Sequence, residues 1–196
     1  MKVNYLGERY NIYWVPVLLS VVCLVGTLLV GCESRELLPK EGAMVLSVSS
    51  TAFQEGAKIP SKYTCQGQDV SPPIAWGEPP VRTQSFALIM DDPDAPGGVF
   101  THWVLFNIPS SSRELLEAVP GQAQLPSGAL QGKNDFGIIG YGGPCPPPGR
   151  PHRYQFTLYA LDRSLELKAG ASKKQAIDAM RGHILAQGQV IGTYQR

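Results

Sequence analysis

A loop rich in glycine and proline, residues 140–154, constrains the fold of this chain more than any other segment. It contains two adjacent glycines followed by five prolines. Proline lacks an amide hydrogen and fixes its own φ angle, so the stretch excludes both a helix and a central strand. We therefore predict a stiff loop that delivers His152 and Tyr154 at the start of the strand-like run 154–161.

Two other segments also place polar side chains where an apolar run begins or ends. The turn 91–96 contains two prolines and carries Asp92, and His102 begins the apolar run 102–108. Rigid loops at strand ends frame sites that lose little entropy on binding. The sequence therefore predicts a preformed pocket built from the three segments.

These segments, in this order, resemble the phosphatidylethanolamine-binding protein (PEBP) family, which includes the Raf kinase inhibitor proteins. The motifs that carry the resemblance are DPDAP at 92–96, His102 with Trp103, and the loop ending in HRY at 152–154. The bacterial and archaeal, Raf kinase inhibitor-like branch also shares the segments 63–73 and 134–137. The resemblance covers residues 44–196 and implies a mainly β fold, an antiparallel β-sandwich with peripheral helices.

The resemblance also implies a ligand site. In the family, four equivalent residues line a small pocket for phosphate-like anions and phosphorylated head groups: Asp92, His102, His152 and Tyr154. Imidazole and phenol hydrogens, with the backbone amides of Gly142 and Gly143, are donors of the kind that a phosphate needs. Asp92 would repel an anion, so we expect it to fix a histidine tautomer, or to accept a proton carried by the ligand or an ammonium head group. The predicted ligand-binding set is completed by Trp76, Tyr141 and Pro146.

Several polar residues near these motifs also have a structural interpretation. Asp92 and Asp94 lie in a turn, where an aspartate commonly accepts from its own backbone, and for Asp94 we favour this role. His102 also suits a hydrogen-bonded core histidine. Arg153 should point away from its neighbours and pair with a surface acid or be solvated, because strand side chains alternate. We interpret His183, on the predicted carboxy-terminal helix, as structural.

The motifs of common enzymes are missing from the sequence. It has no Gly-x-Ser-x-Gly elbow and no Gly-x-x-x-x-Gly-Lys phosphate loop, so we predict no catalytic residue. Two histidines and an aspartate match a facial metal triad in composition, but the resembled family does not use this site for a metal, and we predict neither metal nor cofactor. The enzyme alternative is a weak hydrolase with His152 as general base; Cys145 is a nucleophile only if it stays reduced.

The amino-terminal residues match a bacterial lipoprotein signal. The apolar run 15–30 is sixteen residues long, short of the roughly 20 residues that span a bilayer. It ends on Gly31 before Cys32, in the pattern of a lipoprotein cleavage site. We therefore predict that residues 1–31 are a signal peptide and that acylated Cys32 anchors the exported protein to an envelope membrane.

After the leader, residues 32–43 form a predicted tether and residues 44–196 a single domain. The whole chain carries a formal net charge of +1, and the leader accounts for that surplus. A neutral domain without a basic stripe gives no support for nucleic-acid binding. The alternatives to the lipoprotein are an uncleaved anchor and translation from Met44, which would give a cytosolic domain.

Two cysteines remain once Cys23 is assigned to the leader and Cys32 to the acylation site. The family resemblance places both Cys65 and Cys145 near the pocket. An exported protein meets an oxidising environment, so we predict a disulfide between them. Two buried thiols are the alternative if the chain is cytosolic. No Cys/His spacing typical of zinc sites occurs.

Short runs bounded by Gly, Pro, Asn or Asp predict strands at 44–49, 85–90, 102–108 and 154–161. One helix is predicted over 173–187, capped by Ser172 and stopped by Gly188. A closing strand at 189–194 and a helical turn within 112–119 complete the prediction.

Together these features predict a membrane-anchored, non-enzymatic binding protein with a small anion pocket. The predicted ligand is a phosphate-like anion or a phosphorylated head group. The alternative is a docking or inhibitor protein for a partner such as a kinase or protease, with the pocket recognising a phosphorylated or acidic side chain.

Overall fold

A computed structural model describes residues 44–196 of the chain. The predicted signal peptide, the acylation site at Cys32 and the tether at 32–43 lie outside these described residues. Within 44–196, no helix is both long and apolar enough to cross a membrane.

Two β-sheets form the framework of the domain. The large sheet has six strands in the order β1-β9-β8-β4-β5-β7, and the small sheet has the order β2-β3-β6. The strands are β1 Met44–Val45, β2 Val48–Ser49, β3 Ile74–Trp76, β4 Ser85–Asp92, β5 Phe100–Pro109, β6 Glu114–Leu115, β7 Leu130–Gln131, β8 His152–Leu161 and β9 Ile184–Tyr194. The helix α1 spans Lys173–Met180, and a 3-10 turn spans Ser61–Tyr63.

The large sheet is buried on both faces. Along β4, Phe86, Leu88 and Met90 join a core shared with the small sheet. The intervening residues Ala87 and Ile89 pack in a second core with α1. Strand side chains alternate between faces, so this continuous apolar run fills both layers at once. The predicted β-sandwich with peripheral helical structure is confirmed.

Most of the large sheet is antiparallel, but its first strand is not. β1 pairs in parallel with β9, so the sheet is mixed. The predicted single strand at 44–49 is in fact β1 and β2, which belong to different sheets. The predicted helical turn within 112–119 is wrong, because this segment pairs with β3 as the short strand β6.

The carboxy-terminal helix is shorter than predicted. The Ser172 cap with Gln175 is present as expected, but the helix ends at Met180. Gly182 follows in the left-handed region, with φ of 77°, where glycine meets no steric penalty. Gly188 therefore does not end the helix; it lies within β9, where a Cβ would overlap the Leu46 carbonyl oxygen.

The strand register gathers the three predicted pocket segments at one end of the large sheet. Asp92 at the end of β4 lies opposite Phe100 at the start of β5. His152 at the start of β8 lies opposite Tyr194 at the end of β9. Met44 pairs with Ala186, so the chain enters the domain at the opposite end of the sheet.

Candidate functional site

A cavity of about 150 Å³ opens at the end of the sheet where Asp92 and His152 lie. Five of the predicted ligand-binding residues line it: Asp92, His102, Pro146, His152 and Tyr154. The other lining residues were not predicted: Ala95, Pro96, Phe100, Phe136, Cys145 and Pro147. Two larger clefts elsewhere, about 710 and 410 Å³, are wide surface grooves. The small cavity differs from them in holding buried polar side chains.

Asp92 performs two structural tasks at the cavity. Its Oδ2 accepts a hydrogen bond from His152 Nδ1 at 2.7 Å, and its Oδ1 accepts from the Asp94 amide at 2.8 Å. Asp92 and His152 are only 3% and 4% exposed. The turn role and the histidine-fixing role, treated as alternatives from the sequence, are therefore filled by the same carboxylate.

His102 is oriented from behind by the Gly/Pro loop. Its Nδ1 donates to the Gly142 carbonyl oxygen at 2.7 Å. Its ring meets those of Tyr154 and Phe136 edge to face, each at 5.2 Å between centroids. Burial lowers the pKa of His102, against weaker opposing effects of the Gly142 carbonyl and the Asp92 charge. The ring is therefore a neutral imidazole near pH 7.

Tyr154 is the one buried phenol of the cavity lining. Its hydroxyl is shielded from solvent and has no hydrogen-bond partner among residues 44–196. Burial, followed by the negative charge of Asp92 and the closeness of that carboxylate to the phenol hydrogen, raises the pKa of Tyr154 far above its usual value. The group thus keeps its proton, and although Asp92 is near, the hydroxyl makes no hydrogen bond of good geometry within residues 44–196.

The backbone amides of Gly142 and Gly143 were expected to donate to a ligand, but they do not face the cavity. The Gly142 amide donates to the His102 carbonyl oxygen at 3.0 Å. The Gly143 amide donates to Asp69 Oδ1 at 2.8 Å. Both are therefore satisfied within the protein, and their role is to hold the loop against β5.

Trp76 and Tyr141 also lie away from the cavity. Trp76 belongs to β3 of the small sheet and packs edge to face on Phe86, with 5.2 Å between centroids. Tyr141 packs on Trp103 and donates its hydroxyl to the Tyr63 carbonyl oxygen at 2.7 Å. Both aromatic side chains are part of the packing that supports the site, and the expectation that they wall the cavity is corrected.

Phe100 and Phe136 form the aromatic wall instead, with 4.7 Å between ring centroids. Phe136 is 46% exposed, so part of its ring faces solvent at the cavity mouth. The loop that carries Phe136 is fixed by Asn134, two residues earlier. The side-chain amide of Asn134 donates to the carbonyl oxygens of His102 and Gly140. The motif at 134–137 carries part of the family resemblance, but nothing in its residue types predicts that Phe136 reaches the pocket.

The predicted disulfide between Cys65 and Cys145 is present, with 5.4 Å between the Cα atoms. It ties the segment after the 3-10 turn to the Gly/Pro loop, and the Cys65 amide donates to the Pro144 carbonyl oxygen at 3.2 Å. Because Cys145 lines the cavity, the bond also fixes part of the wall. Its sulfur is then unavailable as a nucleophile.

Three neighbouring polar residues have structural roles. Arg153 pairs with Asp94 through Nε at 2.8 Å and Nη2 at 2.9 Å, as predicted for a surface acid. This hydrogen bonding by Arg153 holds the pKa of Asp94 well below its usual value. His183 lies in the turn after α1, not on the helix, and contacts Asp162 through Nδ1 at 2.8 Å.

The described part of the chain contains no group of three His, Cys, Asp or Glu side chains arranged to hold a metal ion. At the cavity, both Asp92 oxygens accept hydrogen bonds, and Nδ1 of each histidine is bonded to a protein oxygen.

Sequence comparisons agree with the fold. The family model described as "Phosphatidylethanolamine-binding protein" matches residues 49–195. A UPF0098 protein of Methanothermobacter thermautotrophicus is 52% identical over 151 residues, which cover 77% of this chain and 99% of the relative. A UPF0098 protein of Aquifex aeolicus is 50% identical over 175 residues, or 88% of this chain and 99% of the relative.

Two solved structures share the architecture. A Chlamydia trachomatis protein described as a PEBP homologue is 40% identical, with a TM-score of 0.71 over 78% of this chain and 98% of its own. E. coli YbcL, described as a new member of the mammalian PEBP family, is 32% identical, with a TM-score of 0.72 over 78% of this chain and 99% of its own. With the family match across residues 49–195 of the described domain, these similarities show that the chain belongs to the phosphatidylethanolamine-binding protein family.

Proposed function

We propose that the protein binds a small phosphate-like anion or phosphorylated head group in the cavity, without converting it. The observation that carries this proposal is the buried Tyr154 hydroxyl, which lacks an acceptor within residues 44–196. Leaving such a donor unsatisfied costs about 1–3 kcal/mol. A ligand oxygen bonded to this hydroxyl would remove that cost.

The size of the cavity limits the ligand. Its volume of about 150 Å³ is well below the ~300–1,000 Å³ of pockets that enclose drug-sized molecules. A single phosphate or a comparable head group suits this space, and any larger remainder would extend through the mouth. The apolar wall of Phe100 and Phe136 lies beside that exit.

The contacts favour binding over catalysis. Asp92 and His152 form a dyad that resembles a general base with its orienting carboxylate, and this dyad is what supports the weaker, hydrolase candidate. The lining residues include no serine, threonine or lysine, and Cys145 is in a disulfide. A hydrolase here would have to use water as the nucleophile.

Calorimetric titration of the full chain with inorganic phosphate and with phosphoethanolamine tests the binding proposal. Saturable binding that His152→Ala abolishes is the expected result. The matched control is His183→Ala, since this histidine also contacts an aspartate but lies outside the cavity. A folded parent that binds neither compound would overturn the proposal.

Docking to a protein partner, such as a kinase or protease, is a second candidate, supported by Phe136. Its partly exposed ring at the mouth offers apolar surface to a partner whose phosphorylated or acidic side chain enters the cavity. A partner that co-purifies with the parent and is lost in both Asp92→Ala and Phe136→Ser would favour this candidate. Retention of the partner by Asp92→Ala would count against it.

We also propose that the protein is exported and held at a membrane through acylated Cys32. The disulfide supports this location, because such bonds persist mainly in oxidising compartments.

A further inference from the structure

The two cavity histidines have their hydrogens fixed by the protein. The partner of His102 Nδ1 is the Gly142 carbonyl, and that of His152 Nδ1 is the Asp92 carboxylate. Both partners accept, so a neutral ring at either position carries its hydrogen on Nδ1. A neutral ring then keeps a lone pair on Nε2, and no side chain or backbone group within 44–196 donates to that nitrogen.

The cavity consequently offers more acceptors than donors. Its neutral state presents two Nε2 lone pairs and one donor, the Tyr154 hydroxyl. A fully ionised sulfate can only accept, so two of its oxygens would face lone pairs. Dihydrogen phosphate has the same shape but can donate two O–H groups to the imidazoles while it accepts from Tyr154.

The surrounding charges add to this preference. Asp92 is buried and faces both rings, and its charge opposes a second anion. Asp91, on the same strand, is bonded to Lys173 at 2.6 Å, and Asp94 is bonded to Arg153. Tyr194, opposite His152 in the sheet, donates its hydroxyl to Gln66 Oε1 at 2.5 Å. No lysine or arginine lines the cavity to balance an additional negative charge.

We infer that the site selects oxyanions that can carry a hydrogen of their own, inorganic phosphate with up to two O–H groups and phosphate monoesters with one, over fully ionised oxyanions such as sulfate. The inference rests on the proposed function and specifies its ligand. Sulfate binds only when the His102 ring takes up a proton, so its binding is coupled to proton uptake.

Calorimetric titration of the full chain with phosphate and sulfate at pH 7 tests this selection. We expect phosphate to bind at least about tenfold more tightly than sulfate. Each mismatched buried polar contact weakens binding by a comparable factor. Sulfate affinity should rise as the pH falls below about 6.5, and repeating the titration in buffers with different ionisation enthalpies should show proton uptake. Equal affinities at pH 7 would overturn the selection but leave the proposed function standing. Binding of neither anion would overturn the proposed function itself.

Asp92→Asn provides a sharper test. The Asp94 amide donates to Oδ1, so the asparagine oxygen should keep that place and its NH₂ group should face His152 Nδ1. The hydrogen of His152 would then move to Nε2, and the cavity would gain a donor. We expect the preference for phosphate over sulfate to shrink about tenfold, and the imidazole ¹⁵N shifts to report the changed tautomer.

Asp94→Asn is the matched control, because it removes one charge two residues away but its side chain contacts Arg153, not a cavity histidine. It should leave the preference unchanged. A tautomer change in Asp92→Asn with no change in preference would overturn the inference. If this variant does not fold, the comparison of phosphate with sulfate in the parent still decides the question.

The phosphate group can belong to a soluble compound or to a lipid. Phosphatidylcholine vesicles with and without phosphatidic acid, a lipid phosphate monoester, distinguish the sources. Capture by phosphatidic acid that free phosphate reverses indicates a lipid source, whereas binding of free phosphate without capture indicates a soluble one. Both outcomes uphold the selection. Phosphate-reversible capture by phosphatidylcholine alone would contradict it, because a phosphodiester has no hydrogen to donate.

Discussion

Asp92 and His152 are joined by a buried 2.7 Å hydrogen bond that links the last residue of β4 to the first residue of β8. The bond fixes the histidine ring at the cavity and at the same time fastens two neighbouring strands where their pairing ends. It therefore contributes to both the stability of the domain and the geometry of the site.

Replacing this carboxylate should destabilise the domain. Asp92→Ala leaves the Nδ1 hydrogen of His152 and the Asp94 amide without their acceptor, and we expect a loss of about 2–4 kcal/mol in the free energy of unfolding. Urea denaturation measures the change. Lys174→Ala, which removes an exposed partner of Asp178, should cost less than about 1 kcal/mol. Equal losses in the two variants would refute the prediction.

Tyr154→Phe should change stability and binding in opposite directions. Removing a buried hydroxyl that has no partner in the described domain should leave the free energy of unfolding unchanged or raise it by about 1 kcal/mol. Phosphate affinity should fall about tenfold because the donor is lost. Tyr159→Phe, on the same strand but packed in the other core, should leave phosphate affinity unchanged. Parallel losses of stability and affinity in Tyr154→Phe would contradict this assignment.

Acidification should weaken the fold through His102. Burial lowers the pKa of this ring in the folded protein, so the unfolded chain takes up the proton more readily. The contribution of the His102 ring to the free energy of unfolding is then fully present above about pH 6.5. It declines as the pH falls through that value. We expect His102→Asn, whose amide can still donate to Gly142, to lose less stability than the parent between pH 7.5 and 5.5. The same decline in both proteins, measured by urea denaturation, would exclude this role.

Reduction should also destabilise the domain. The bridge between Cys65 and Cys145 spans 80 residues, for which the chain-entropy model gives roughly 4–5 kcal/mol. Denaturation with and without dithiothreitol measures the difference. The paired variant Cys65→Ser and Cys145→Ser should be insensitive to the reductant, whereas a parent with the same stability in both conditions would show that the bond contributes little.

Cys32 should determine where the protein is found. If the cysteine is acylated, the parent should partition with membranes and Cys32→Ala should not. Fractionation followed by mass analysis of the amino-terminal peptide measures both effects. Cys23→Ala, within the leader, should behave as the parent. A parent found only in the soluble fraction without a lipid would refute the proposal.

The sequence was most informative where backbone chemistry leaves few options. The prolines of 144–151 exclude regular structure, so the positions of His152 and Tyr154 at the start of a strand followed directly. The end of α1 was harder, because Met180 and Ile184 have the spacing of a helical face, while the residues after Gly182 also alternate as a strand. Pairing with β8 decides between them, and such a partner is invisible in a local pattern.

Within the site, residue types were predicted better than contacts. Asp92, His102, His152 and Tyr154 converge on one cavity, because their motifs lie at strand ends. The amide of Gly142 was assigned to a ligand, yet it is bonded to a carbonyl of β5. Hydrogen-bond partners across the fold depend on loop paths, and a sequence does not reveal these.

The two ends of the described domain are not equivalent for experiments that attach the protein to something else. Met44 lies beside Ala186, eight residues along β9 from Tyr194. In contrast, Tyr194 lies opposite His152, and Arg196 reaches Cys145 with Nη1 to Sγ at 3.7 Å. A surface or label coupled ahead of Met44 would leave the cavity mouth open to solution, whereas a carboxy-terminal tag would emerge beside the cavity wall and obstruct the ligand it was meant to help detect.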